Sequence, residues 1–313
     1  MWVLLEVLLG CLDMLCTATS FCRRRTHRRI SGLATCAAPG AHSMGAILSG
    51  RRSSTLGLRN GTSTIHSNAS HPSSPIQLGL FNEYEVYRRS LYGGLAYKAL
   101  LVDAAGTLIV PSEPAAKVYH DVGIKYGVQW SESEILKRYR WAYAQPWSRS
   151  RLRYENDARP FWQFIVEKAT GCSDPAYLEE LYHYYTTAEA WRIADPDAGR
   201  IFEALRLSGV KVAVVSNFDT RLRPLMSALH CYDWFDAMAI SAEVGAEKPN
   251  PAIFSAACEL LGVQEQDAVH VGDDRRNDIW GARDAGCDAW LWGEDVTSFE
   301  QVAKKIGVEV AVS

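Results

Sequence analysis

Val271-Gly272-Asp273-Asp274-Arg275-Arg276-Asn277-Asp278 follows directly on the short apolar run Ala268 to Val271. A continuous apolar run of this length, bounded by turn residues, is what a strand buried on both faces of a parallel sheet requires. Beyond it, Asp273, Asp274 and Asp278 put three carboxylates within six residues. Carboxylates gathered at a strand end repel one another unless a cation offsets them, and hard oxygen ligands of this kind suit Mg²⁺. In this reading Asp278 also starts a helix, and Asp274 is the solvated member of the set.

Four more runs share the pattern: Ala99 to Val102, Val210 to Val215, Ala237 to Ile240 and Ala289 to Trp292. Amphipathic stretches of helical length lie between the later ones. Asp197 to Leu207 ends at Gly209 as a helix stop, and Asn250 caps a helix whose first residue is Pro251, where a missing N–H costs nothing. Repeated strand–helix–strand units predict an α/β fold with a doubly wound parallel sheet.

About a hundred residues separate the first strand from the second, far more than one crossover needs. An inserted domain is expected over 113–189, with helices at Glu113 to Tyr126, Ser131 to Ala144, Asp157 to Thr170 and Pro175 to Ala188, leaving a core of 97–112 and 190–313. Such an insertion would cap the carboxyl ends of the sheet, where open α/β folds bind ligands. Its aromatics (Trp141, Trp147, Phe161, Trp162, Phe164, Tyr182, Tyr184 and Tyr185) read mainly as bundle core, with substrate wall as the lesser role.

The other strand ends also carry chemistry. The first stops at Asp103-Ala104-Ala105-Gly106-Thr107-Leu108, which places a carboxylate at the edge of the sheet. The second ends in Ser216-Asn217-Phe218-Asp219, a hydroxyl followed by backbone N–H groups entering a helix, an arrangement that suits an anion. Lys248, in the turn Glu247-Lys248-Pro249, is a surface lysine unless the neighbouring strand ends give it company.

Composition separates two polypeptides. At 48% hydrophobic, 11% aromatic and 22% charged residues, the 313-residue chain is neither collagen, coiled-coil rod nor wholly disordered. Residues 1–82 hold eight Arg, no Lys and two acids, a charge of +6, which leaves 25 basic and 34 acidic residues, −9, for the rest. Met14 to Asn82 contains no Asp or Glu and is rich in Ser, Thr, Ala and Gly, the composition of a transit peptide. Residues 1–90 are therefore expected to be a disordered targeting leader addressed to an organelle, the chloroplast ahead of the mitochondrion. If the leader is an artefact of an over-long start, with Met44 as the first residue, a cytoplasmic or nuclear location follows. The apolar run precedes the basic cluster, the reverse of a secretory signal, so no stable membrane insertion of the mature chain is expected. The acidic body argues against nucleic acid as a partner. Eight cysteines, four in each part and none in a C-x-x-C pair, indicate neither a zinc cage nor a disulfide framework.

Taken in order, the four strand-end segments resemble those of the haloacid dehalogenase superfamily over Tyr97 to Ser313, and within it the branch called haloacid dehalogenase-like hydrolase domain-containing protein 3. The resemblance implies a Rossmann-like core with a helical cap, Mg²⁺ as cofactor and a small phosphorylated metabolite as substrate. It makes Asp103 the nucleophile, and Asp103, the Ala105 carbonyl, Asp273 and Asp278 the metal ligands. Thr107, Ser216, Asn217 and Lys248 would bind the phosphoryl group, with Lys248 also neutralising the crowded charge during catalysis.

One position departs from the pattern. Phosphatases of the superfamily place a second aspartate, the general acid and base, two residues after the nucleophile, where this chain has Ala105. Such help is worth about 10² to 10⁴ in rate. Three readings follow: a phosphatase restricted to good leaving groups or borrowing His120 or His183; a phosphonate-cleaving hydrolase using Lys117, Lys125, Lys137 or Lys168 as a Schiff base; or a non-catalytic protein that binds phosphate and metal.

Overall fold

The structure, a computed structural model, describes residues 94–310. The expected leader over 1–90 lies outside the described residues. Within them the chain forms, in order, β1 (Ala99–Val102), β2 (Ile109–Pro111), α1 (Ala115–Gly123), α2 (Glu132–Ala144), α3 (Arg159–Thr170), α4 (Pro175–Tyr184) and β3 (Trp191–Ile193). There follow α5 (Ala198–Leu207), β4 (Lys211–Ser216), α6 (Leu222–Ala228), β5 (Ala237–Ile240), α7 (Ala252–Leu261), β6 (Ala268–Gly272), β7 (Asp288–Leu291) and α8 (Phe299–Ile306).

Five strands make one parallel sheet in the order β5-β4-β1-β6-β7. The chain starts at the centre, winds out through β4 and β5, then crosses back over β1 to lay down β6 and β7. Winding therefore reverses at β1, and the carboxyl ends of β4, β1 and β6 open side by side into the crevice such a reversal creates. The register is set by pairs such as Leu101 opposite Ala213 on one side and His270 on the other. Both faces are dry. Leu100 and Val102 join a cluster with Phe202, Leu205, Leu222 and Phe299 from α5, α6 and α8, while Ala99 and Leu101 pack with Ile253, Phe254, Ala257 and Leu261 of α7. Alternate residues of one strand thus feed two separate cores, which is why the runs read as continuously apolar.

The insertion folds as four helices. Ser131 Oγ accepts the Glu134 N–H at 3.4 Å to cap α2, and Asp174 Oδ1 accepts the Ala176 N–H at 2.8 Å to cap α4. Several boundaries differ from the sequence expectation, α1 for one beginning at Ala115 instead of Glu113. α1 stops at Gly123 and tightens into a turn closed by Gly127 at φ +79°. α3 begins at Arg159 instead of Asp157, since Asn156 and Ala158 both adopt φ +54° and break the helical path. α4 ends at Tyr184, where the Thr186 and Thr187 hydroxyls turn back onto the His183 and Tyr184 carbonyls. The antiparallel β2–β3 ribbon, three residues per strand, was not foreseen. It ties the outgoing and returning chains together at the foot of the insertion. Strands so short carry no readable alternation.

Candidate active site

The loop after β1 reverses within a few residues. The Leu108 N–H reaches the Ala104 carbonyl at 2.9 Å, and the Gly106 N–H reaches the Ile109 carbonyl at 2.8 Å. Gly106 holds φ +105°, and a Cβ there would meet Asp273 Oδ2 at 2.7 Å. Gly272, the last residue of β6, is equally constrained, because a Cβ on it would lie 2.2 Å from Asp278 Cγ. Two glycines therefore let two carboxylates close in on the end of β1.

Asp103, Asp273 and Asp278 are all buried, each with a carboxylate oxygen within 4.8 Å of the others. Lys248 Nζ donates to Asp103 Oδ1 and to Asp278 Oδ1, both at 2.6 Å, and is itself buried. Asp278 Oδ1 also contacts His270 Nε2 at 2.9 Å, and its Oδ2 accepts the Asp274 N–H at 2.9 Å. One ammonium shared by two carboxylates satisfies one of them better. Burial favours the protonated form of both, but for Asp278 the Lys248 charge and the His270 contact prevail, and it stays ionised well below the usual range. Asp103 lacks those extra donors. Burial dominates there, Lys248 opposes it only in part, Asp278 and Asp273 add repulsion, and the carboxyl is pushed up to about 7. Burial alone would weaken the Lys248 charge, yet the two carboxylates hold its proton more firmly than usual. Burial moves His270 the other way, below its ordinary value.

Several residues sit otherwise than expected. Asp274 is buried, not solvated: its Oδ1 takes the Arg276 and Asn277 N–H groups at 2.9 and 2.8 Å and caps the wide helical turn Arg275–Trp280. Asp278, expected to start that helix, lies a full turn inside it, facing Lys248. Asn217 borders the cavity, but its amide is engaged with the backbone of Lys248, donating Nδ2 to the carbonyl at 3.0 Å and accepting the N–H on Oδ1 at 2.6 Å. It fixes the lysine's turn instead of reaching outward for a phosphoryl oxygen. Thr107 is fully buried, does not border the cavity, and its Oγ1 has no hydrogen-bond partner among the described residues. Ser216 does border the cavity at the end of β4, as do Asp103 and Ala105.

That cavity, about 420 Å³, lies between the strand ends and the cap. Trp162, Tyr182 and Tyr185 of the expected aromatic set reach it; Phe161 is bundle core and Trp141 is exposed. His120, His183 and the four cap lysines do not border it. Lys117, Lys125, Lys137 and Lys168 instead pair with surface carboxylates of Glu113, Glu180, Glu134 and Glu167.

Sequence reasoning passed over the contacts that seat the cap. Asp219, fully buried, binds Arg221 at 2.7 Å and accepts Trp162 Nε1–H of α3 at 3.1 Å. The Arg221 guanidinium lies 3.8 Å from the Tyr182 ring centroid. Glu247 Oε1 accepts the N–H groups of Arg153 and Tyr154, and the Thr220 N–H donates to the Asn156 carbonyl at 3.0 Å. His270 had one available signal, a polar residue inside a run buried on both faces.

Comparison with known proteins identifies the family. The family model for haloacid dehalogenase-like hydrolases matches residues 97–286. A zebrafish (Danio rerio) haloacid dehalogenase-like hydrolase domain-containing protein 3 is 30% identical over 203 residues, spanning 61% of this chain and 83% of the relative. Mouse (Mus musculus) N-acylneuraminate-9-phosphatase is 36% identical over 135 residues, 42% of this chain and 54% of its own. Among solved structures, the Bacillus subtilis HAD-hydrolase YfnB bound to magnesium superposes with a TM-score of 0.52 at 15% identity, covering 68% of this chain and 99% of its own, a likeness of fold alone. With the family model spanning more than half of its length, and a parallel core carrying an acidic strand-end cluster beneath a helical insertion, the chain belongs to the haloacid dehalogenase-like hydrolases.

Proposed function

We propose that the protein is a Mg²⁺-dependent phosphatase that acts through a phosphorylated Asp103 on a small phosphorylated metabolite. The observation that carries this reading is the pairing of Asp103 with Lys248 at 2.6 Å at the floor of a capped cavity. The donor set fits a divalent ion. Three buried carboxyl groups lie together with one lysine between two of them, more negative charge when ionised than the single ammonium offsets, and all the ligand atoms are hard oxygens. Asp103 and Asp273 would hold Mg²⁺, with the Ala105 carbonyl, while Asp278 stands beside them with its oxygens shared among Lys248, His270 and the Asp274 N–H. When bound, the ion supplies positive charge that lets a phosphate approach the carboxylates.

The chain's own residues do the rest. Ionised Asp103 attacks phosphorus, and the leaving oxygen departs with its electron pair. Lys248, already on Asp103 Oδ1, neutralises the charge crowding at that point, and Ser216 at the neighbouring strand end donates to a phosphoryl oxygen. Water then cleaves the aspartyl phosphate and restores Asp103. Ala105 borders the cavity with a methyl group and moves no proton in either step. That same methyl favours the second reading, a non-catalytic protein that binds phosphate and metal. A phosphonate-cleaving reaction draws no support, for no cap lysine borders the cavity. The test is hydrolysis of 4-nitrophenyl phosphate by the full chain with and without Mg²⁺. Activity that requires both Mg²⁺ and Asp103 sustains the enzyme; inactivity with Mg²⁺ or phosphate still raising the unfolding temperature leaves the binder. We also propose that residues 1–90 direct the chain to an organelle, the chloroplast first, which imaging of a fluorescent fusion of those residues tests.

A further inference from the structure

We infer that the cavity selects aromatic phosphomonoesters, in which the oxygen bonded to phosphorus is carried by a ring and departs as a stabilised phenolate-type anion. The inference rests on the phosphatase reading and names the substrate class for that site. Two independent features of the cavity converge on it.

The first is the wall. Rings of Tyr119, Tyr139, Tyr154, Trp162, Tyr185 and Phe218 border the cavity. They form connected sets: Tyr119 meets Tyr139 and Tyr185 edge-on at 6.0 and 6.4 Å, and Trp191 lies 6.1 Å from both Tyr185 and Phe218. A polyhydroxylated skeleton would exchange water for carbon along most of this surface, and each hydroxyl left without a partner weakens binding. Arg140, Arg153, Arg221 and Arg276 also border it, but apolar surface prevails, and a flat ring gains edge-to-face contacts along that part. Tyr185 Oη, buried and with no hydrogen-bond partner among the described residues, offers one point of polar contact for a ring substituent. A volume of about 420 Å³ accommodates one or two rings with a phosphate.

The second is the shortage of carboxyl and imidazole groups free to give a proton. No His or Glu borders the cavity among the described residues, and Ala105 presents a methyl. Of the bordering acids, Asp103 is the nucleophile, Asp274 is engaged in capping, and Asp278 is held by Lys248 and His270. The tyrosines of the wall, Tyr119, Tyr139, Tyr143, Tyr154, Tyr182 and Tyr185, are weak acids that burial makes weaker still, so the phosphorus–oxygen bond breaks with the electron pair remaining on an unprotonated oxygen. A ring that delocalises this charge meets the requirement; an alkoxide does not. The phenolate takes its proton from water after release. Attack of water on phosphorus then breaks the bond to Asp103, one proton passing to the phosphate and one to solvent.

The test uses the full chain with Mg²⁺ and a panel of 4-nitrophenyl, phenyl and 2-naphthyl phosphates, glucose 6-phosphate and acetyl phosphate, with Asp103→Asn as control. The 4-nitrophenyl ester is expected to exceed glucose 6-phosphate in kcat/KM by about 100-fold or more, the missing acid–base help falling only on the alkyl ester. The naphthyl ester should exceed the phenyl ester, whose leaving oxygen is of similar acidity, by about tenfold through the extra apolar area. Tyr139→Leu, which keeps the wall filled, and Tyr139→Ala should both lower the naphthyl rate more than the phenyl rate. Equal rates on glucose 6-phosphate and aryl esters overturn the inference. So does Asp103-dependent hydrolysis of acetyl phosphate without preference for rings, and in both of those cases the phosphatase reading stands. Turnover of nothing in the panel removes that reading and the inference together.

Discussion

Within the core, Asp103, Lys248 and Asp278 are joined by 2.6 Å contacts, each delivered by a different strand-end loop and each removed from water. Across the same cavity the cap presents rings from several helices, held by edge contacts of 5–6 Å and by a few hydrogen bonds back to the core. The floor is built from charge in a poorly screened place, where moving one group unbalances all the others. The wall is built from area, where losses are graded and neighbours can share them. Floor and wall should therefore respond very differently to substitution.

The sharpest break is Asp103→Asn. Turnover of 4-nitrophenyl phosphate should fall by ~10⁴-fold or more, as expected for loss of a nucleophile, with circular dichroism unchanged. In the opposite direction, Ala105→Asp places a carboxyl in the cavity and should raise turnover of alkyl phosphates by about 10²-fold. No gain in a folded variant would count against the position assigned to residue 105. Lys248→Met removes the one cation among three buried carboxylates. Urea unfolding should show a loss of about 3–5 kcal/mol, partly restored by Mg²⁺, whereas equal stability with and without the lysine would mean that the cluster is better solvated than its burial implies.

Protons report the same tension. The carboxyl of Asp103, ordinarily near 3.8, is raised to about 7 by burial and by the neighbouring carboxylates. A carboxyl whose folded-state value is raised stabilises the fold most below its unfolded value, and that contribution disappears as pH rises from about 4 through 7. Mg²⁺ needs the ionised form. Its affinity should climb roughly tenfold per pH unit below 7 and level off above, with up to one proton released per ion bound, which calorimetry in two buffers detects. On the wall side, Trp162→Phe keeps the ring and deletes its hydrogen bond to Asp219, which retains Arg221. The expected cost is ~1 kcal/mol, the smallest effect of the series; a loss comparable with Lys248→Met would erase the contrast between floor and wall.

The same contrast explains what could be read from the sequence. Strands buried on both faces need continuous apolar runs, and all five were found to within a residue. Because strand ends in a parallel sheet share one edge, Asp103, Ser216, Lys248 and Asp273 were legible as a group from chain order alone. Roles decided by side-chain direction were not. Whether Asn217 faces the cavity or the Lys248 backbone depends on a two-bond rotation, and the exchange of roles between Asp274 and Asp278 depends on a turn wound wider than an ordinary helix. In the cap, aromatic residues occur at helical spacing on more than one face, so periodicity places them inside the bundle without distinguishing its interior from the cavity. Tyr119 and Tyr139 were missed for that reason, and Tyr154 because it lies in the loop between α2 and α3, where periodicity says nothing.

Glu247 and Lys248 are consecutive. One turn hands its carboxylate to the Arg153 and Tyr154 N–H groups of the cap and its ammonium to Asp103. Lifting the lid would strip Glu247 of both donors and leave an anion looking for a counter-ion one peptide bond from the cation that steadies Asp103. The anchorage of the inserted helices and the cation beside Asp103 thus hang on a single peptide unit.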